Sequence, residues 1–148
     1  MNHKEKNFSN VLKKYYLQEN FFFDKIESRM TAGGIPDLLV VSPMGIQNFI
    51  ELKVVEADMK LSLTKGQVSF HSKRRMRGVR TPVVVLVEPL NKMLVMASTK
   101  ALDLYSKGGK LNIHEVPDIC WFKRTAVDYA MLTYTTTDLF LSSPRVYK

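Results

Sequence analysis

The sequence holds a single cysteine, Cys120, so no internal disulfide can form and stability must come from burial. Long apolar runs are equally scarce: the longest purely aliphatic stretch, Val83–Val87, falls far short of the roughly 18 residues that a membrane span needs. No association with a membrane is expected. The opening Met1-Asn2-His3-Lys4-Glu5-Lys6 leads into no apolar signal core, so a cytoplasmic location is expected. His3 and His114 lack Cys or His neighbours at zinc spacing and read as structural, and no Gly-x-x-x-x-Gly-Lys loop exists to cradle a nucleotide. Acidic residues are also in the minority. The 14 Asp and Glu stand against 22 Lys and Arg, a net charge of +8 that suits a polyanionic partner such as nucleic acid.

What is present is enough for one core. With 148 residues, 45% of them hydrophobic, the chain fits a single domain, and neither an internal repeat nor a low-complexity linker divides it. Phe8, Val11, Leu12, Tyr15 and Tyr16 recur at helical spacing over residues 4–18. The aromatic run 21–27 reads as a strand, followed by a loop at Thr31-Ala32-Gly33-Gly34. Residues 37–41 and 47–55 read as a hairpin across Ser42-Pro43-Met44-Gly45. Thr64 caps a helix over 65–77 that Gly78 closes, and strands follow at 83–87 and 93–97. A short helix is expected at 102–105, a weak helical pattern covers 119–132, and residues 133–141 read as strand or loop. The expected order is α-β-β-β-α-β-β, a mixed α/β domain.

Three ionisable residues interrupt the apolar hairpin. Glu51 and Lys53 alternate with Ile50 and Leu52, so the two charges share one face of their strand. Asp37, at the start of the neighbouring strand, reaches that face if the hairpin pairs as expected. Two carboxylates in a half-buried site repel each other unless a cation joins them, and such oxygen ligands suit Mg²⁺ or Mn²⁺. A cation there stabilises charge developing on phosphorus, and the chemistry pointed to is phosphodiester hydrolysis. Lys53 either handles the attacking water or neutralises the transition state.

Each element alone is common. Pro-Asp recurs at Pro117-Asp118 with no Glu-x-Lys downstream, and that second copy reads as a cap or turn. The combination is specific: Gly34-Ile35-Pro36-Asp37, then Glu51-Leu52-Lys53, then Gln67 on a helix, resembles the VRR-NUC group of the PD-(D/E)xK nuclease superfamily over about residues 5–87. That group includes bacterial and phage proteins and a eukaryotic DNA-repair nuclease. The resemblance implies a restriction-endonuclease-like core, with Asp37, Glu51 and the backbone carbonyl of Leu52 holding Mg²⁺ or Mn²⁺. It also implies Lys53 as catalytic lysine, Gln67 as support, and an acidic residue on the first helix, for which Glu5 is best placed while Glu19 and Glu27 compete. Family analogy adds a homodimer, a bacterial or phage-infected cell as setting, and a nuclease core at about 5–100 with a C-terminal extension at 101–148. One departure is the acidic Val54-Val55-Glu56-Ala57-Asp58, where the family commonly has a basic, glycine-containing stretch.

Lys73, Arg74, Arg75, Arg77 and Arg80 place five positive groups within eight residues, a solvated helix face or a set of contacts to backbone phosphates. The phosphate contacts are assigned to Lys73, Arg74, Arg75 and Arg77. His71 shares a helix face with Gln67 and lines the site or merely fills a strand–helix junction, and Cys120 reads as core. The expected function is a metal-dependent DNA endonuclease acting on branched or junction DNA. One rival is a non-catalytic DNA-binding protein of the same fold, and another is a subunit that docks through the tail from about residue 110.

Overall fold

Period-two alternation along each strand sorts the apolar residues onto the two faces of one sheet, and helices cover both. The computed structural model describes residues 1–26, 35–78, 81–112 and 119–137. In chain order the elements are α1 (His3–Gln18), β1 (Phe22–Lys25), β2 (Leu38–Val41), β3 (Gln47–Val55), α2 (Lys65–Met76), β4 (Val83–Val87), β5 (Lys92–Met96), α3 (Ser98–Ser106), β6 (Ile119–Lys123) and α4 (Ala126–Thr135). The strands lie in sequence order β1-β2-β3-β4-β5-β6. All neighbours are antiparallel except β3 and β4, which run parallel and are joined by α2 as a crossover.

On one face Phe8, Leu12 and Tyr16 of α1 and Tyr129 and Leu132 of α4 pack on Ile50, Leu52, Val84 and Val95. On the other, Val55, Val83, Val85, Leu94 and Met96 meet Ala101 and Leu104 of α3, with Val68 of α2 against them. β4 is buried along its whole length, as expected for a strand covered on both sides. Full burial of a side chain such as Leu12 stabilises the fold by about 1.5–3 kcal/mol. The Tyr16 hydroxyl, inside that core, is satisfied by Thr136 Oγ1 at 2.6 Å. Gly109 adopts φ +80° where the chain passes against the segment before α2; a Cβ there would lie 2.3 Å from the Leu61 carbonyl oxygen. Among the described residues no helix is long and apolar enough to cross a membrane.

The expected hairpin is present, with Leu38 opposite Ile50 and Leu39 opposite Phe49. Two expectations in the second half need correction. Residues 119–132 are not one helix: Ile119–Lys123 is a strand paired with β5, and the chain turns into α4 only at Thr125, whose side chain accepts from the Asp128 N–H. The β-prone Ile-Cys-Trp-Phe run pairs along an open sheet edge, which outweighs its weak helical periodicity. Residues 133–135, read as strand or loop, form the last turn of α4. Cys120, read as core, is exposed. It lies in edge strand β6, and alternation turns it away from Ile119 and Trp121, which pack on the second core. The helix expected at 102–105 begins earlier, at Ser98, behind an Ala97 N-cap that makes no side-chain hydrogen bond. His114, Pro117-Asp118, Glu27, Arg80 and residues 138–141 fall outside the described residues.

Candidate functional site

Hairpin register decides where the carboxylates go. Each step along β2 and β3 pairs residues whose numbers sum to 88, so Asp37, one residue before Leu38, stands across from Glu51. Both point to the α2 face, since Leu38, Ile50 and Leu52 point to the α1 face. Asp37 Oδ2 accepts the Leu52 N–H at 2.9 Å, which fixes its rotamer. Glu51 is 1% exposed, among the largest fully buried side chains of the protein.

Gln67 ties the remaining parts together. Thr64 and Gln67 form a capping box at the start of α2: the Gln67 N–H donates to Thr64 Oγ1 at 3.1 Å, and the Thr64 N–H donates to Gln67 Oε1 at 3.0 Å. The same Oε1 accepts from Lys53 Nζ at 2.8 Å, while Gln67 Nε2 donates to Glu51 Oε2 at 3.1 Å. One side chain therefore caps a helix, anchors an ammonium and orients a carboxylate. His71, one turn further along α2, is fully buried with Nε2 3.7 Å from Glu51 Oε1.

Burial dominates the electrostatics. It raises the proton affinity of Asp37, and the neighbouring Glu51 charge raises it further. Burial likewise lifts Glu51 well above the usual carboxylate range, against the lowering effects of its hydrogen bond to Asp37 and of Lys53. His71 moves the other way, to about 4, because burial and then Lys53 disfavour its cation. The imidazole is neutral at physiological pH.

Glu5 adds its charge to the upward push on Glu51 and lines, with Lys53, a cavity of about 220 Å³ that also touches Glu56 and Asp58. Its carboxylate accepts the Asn2 N–H at 3.2 Å and completes the capping box of α1. Glu19 sits at the opposite end of that helix, about 21 Å along the axis, by Tyr134. Of the basic residues, Lys73 and Arg75 are exposed and Arg77 ends α2. Arg74 departs from the expected solvated face: it is half-buried, its guanidinium 4.4 Å over the Phe70 ring, which itself meets Phe49 edge-on. Thr64-Lys65-Gly66-Gln67 carries a capping-box signature, which is the signal that Gln67 is locked by the helix start as well as by the site.

The donor set fits a hard divalent cation. Asp37 and Glu51 bring two carboxylates together in a buried place, and the ammonium beside them bonds to Gln67. Among the described residues no group of three or more His, Cys, Asp and Glu is arranged to hold a metal; carboxylate oxygens such as these two are the ligand type that hard divalent cations take.

Comparison with solved structures bears on the fold. The chain is similar to Hjc, a Holliday junction resolvase from the archaeal hyperthermophile Archaeoglobus fulgidus, at a TM-score of 0.52 and 12% identity, covering 86% of this chain and 98% of that one. The fold is restriction-endonuclease-like. A second similar structure, a VRR_NUC domain, is 28% identical over 55% of this chain and 82% of that one, with a TM-score of 0.43. The second carries the name of the group that the Asp37, Glu51-x-Lys53 and Gln67 motifs resemble. No protein-family model and no curated protein matches the chain. On this restriction-endonuclease-like frame, the candidate site lies where β2 and β3 meet the start of α2.

Proposed function

We propose that the chain is a divalent-metal-dependent DNA endonuclease that cuts branched or junction DNA as a homodimer. The observation that supports it most is the facing of Asp37 and Glu51 across the hairpin, with Lys53 and Gln67 locked beside them. Asp37, Glu51 and the Leu52 carbonyl are the groups that would hold Mg²⁺ or Mn²⁺, which when bound supplies positive charge at the scissile phosphate and acidifies water. Lys53, held by Gln67, presents its remaining N–H donors to the attacking water or to a phosphoryl oxygen. Gln67 keeps that ammonium and the Glu51 carboxylate in fixed relation, so little reorganisation is needed when substrate arrives. Glu5, which shares a cavity with Lys53, would complete the acidic set.

Lys73, Arg74, Arg75 and Arg77 supply contacts to backbone phosphates, which position a duplex without reading its sequence. Severing two strands calls for two sites, hence the homodimer. A junction-type substrate is suggested by the fold shared with a Holliday junction resolvase. The Lys53→Ala variant tests the assignment. Cleavage falls by at least about 100-fold while DNA affinity changes by less than about threefold, because the ammonium acts on the developing charge. Loss of binding together with cutting contradicts the role.

A further inference from the structure

Two buried atoms face each other without hydrogen-bond partners. Among the described residues Glu51 Oε1 and both ring nitrogens of His71 lack one, in side chains that are 1% and 0% exposed, and His71 Nε2 stands 3.7 Å from Glu51 Oε1. Buried polar groups are nearly always paired, and leaving a bond unmade at such a place is costly. The nearest resolution is an adjustment of a few tenths of an ångström that lets one side chain serve the other. His71 sits one helical turn beyond Gln67, which already donates to the other oxygen of the same carboxylate. The two α2 residues therefore stand on one side of Glu51, Gln67 bonded to one oxygen and His71 3.7 Å from the other.

We propose that His71 is a positioning residue: as the Nε2–H tautomer it donates to Glu51 Oε1 and, with Gln67, fixes the orientation in which Glu51 receives a divalent cation. The inference rests on the reading of Asp37 and Glu51 as metal ligands. Partners behind a ligating carboxylate set its orientation and basicity, and their loss weakens metal affinity by about 10- to 100-fold. At 3.7 Å the contact with Glu51 Oε1 is longer than a hydrogen bond in the metal-free chain, so the part His71 plays in orienting Glu51 for a cation and its part in the bare fold separate.

The experiment is calorimetric titration of the full chain with Mn²⁺, beside thermal melting in EDTA, for the wild type, His71→Met, His71→Gln and Asp37→Ala. His71→Met keeps the volume and removes the donor; His71→Gln restores an amide N–H near the place of Nε2. The expected result is Mn²⁺ affinity reduced about 10- to 100-fold in His71→Met, with metal-free melting equal to or above wild type, and affinity within about threefold of wild type in His71→Gln. Wild-type affinity in His71→Met overturns the proposal and leaves His71 a packing residue. If His71→Met does not melt cooperatively, His71→Gln against His71→Asn decides, because the shorter amide does not reach the Nε2 place; equal affinities overturn it. No Mn²⁺ binding by the wild type, with Asp37→Ala indistinguishable from it, overturns the metal reading itself, a different failure from that of His71.

Discussion

Gln67→Ala removes three hydrogen bonds at once: from the Thr64 N–H, from the Lys53 ammonium, and to Glu51 Oε2. A neutral bond contributes about 0.5–1.5 kcal/mol and one to a charged group about 1.5–3 kcal/mol. Their plain sum is an upper bound. Lys53 and Gln67 are only partly buried, so water takes over part of what is lost, and Ala is the better helix former. The expected destabilisation is about 2–4 kcal/mol, which in a chain of 148 residues lowers Tm by about 5–15 °C. Scanning calorimetry and urea unfolding in EDTA measure it without reference to activity. Gln67→Glu keeps the acceptor for Thr64 and Lys53 but loses the donor to Glu51 and adds a carboxylate beside two others, so it too is less stable than wild type. A Gln67→Ala variant melting within about 1 °C of wild type would refute the view that this side chain holds the site together.

Three further outcomes follow from the geometry. Asp37 and Glu51 have folded-state pKa values raised above those of the unfolded chain, so the folded form binds more protons between about pH 4 and 7 and their contribution to stability falls as pH rises through that window. In EDTA, the Tm of wild type minus that of an Asp37→Asn, Glu51→Gln double variant therefore decreases from pH 5 to pH 8, and Mn²⁺ reverses the trend; a flat difference contradicts it. Arg74→Ala with Arg75→Ala shrinks the slope of log affinity for DNA against log salt by up to about two, and an unchanged slope places the DNA elsewhere. Tyr16→Phe leaves the buried hydroxyl of Thr136 without its 2.6 Å partner and lowers stability by about 1–2 kcal/mol in denaturant titration, whereas no change would mean that the bond contributes nothing.

The first half of the fold was legible because its signals are local. The hairpin turn, the Thr64 cap and the uniformly apolar β4 each appear in the residues themselves, and alternation around Glu51 gave the shared face that the register bears out. The second half depends on partners far along the chain. β6 is a strand because β5 offers it an edge, and α3 starts at a residue with no capping side chain, so neither boundary is written locally. Within the site, Asp37, Glu51, Lys53 and Gln67 were readable as types at a spacing. The several bonds of Gln67 and the place of His71 beside Glu51 depend on how α2 lies over β3, which periodicity alone does not give. Arg74 was read by charge, whereas its place over Phe70 follows from an i, i+4 contact along α2.

The proposed function stands or falls with Asp37 and Glu51 as a metal-dependent site for cutting DNA. Cleavage of labelled duplex, single-stranded, flap and four-way-junction DNA in Mg²⁺, Mn²⁺ and EDTA, beside Asp37→Ala, tests it most directly. The expected result is cutting of the branched substrates with either metal, none in EDTA, and none by Asp37→Ala despite retained binding. Binding without cutting under every condition, or cutting that survives in Asp37→Ala, would contradict it.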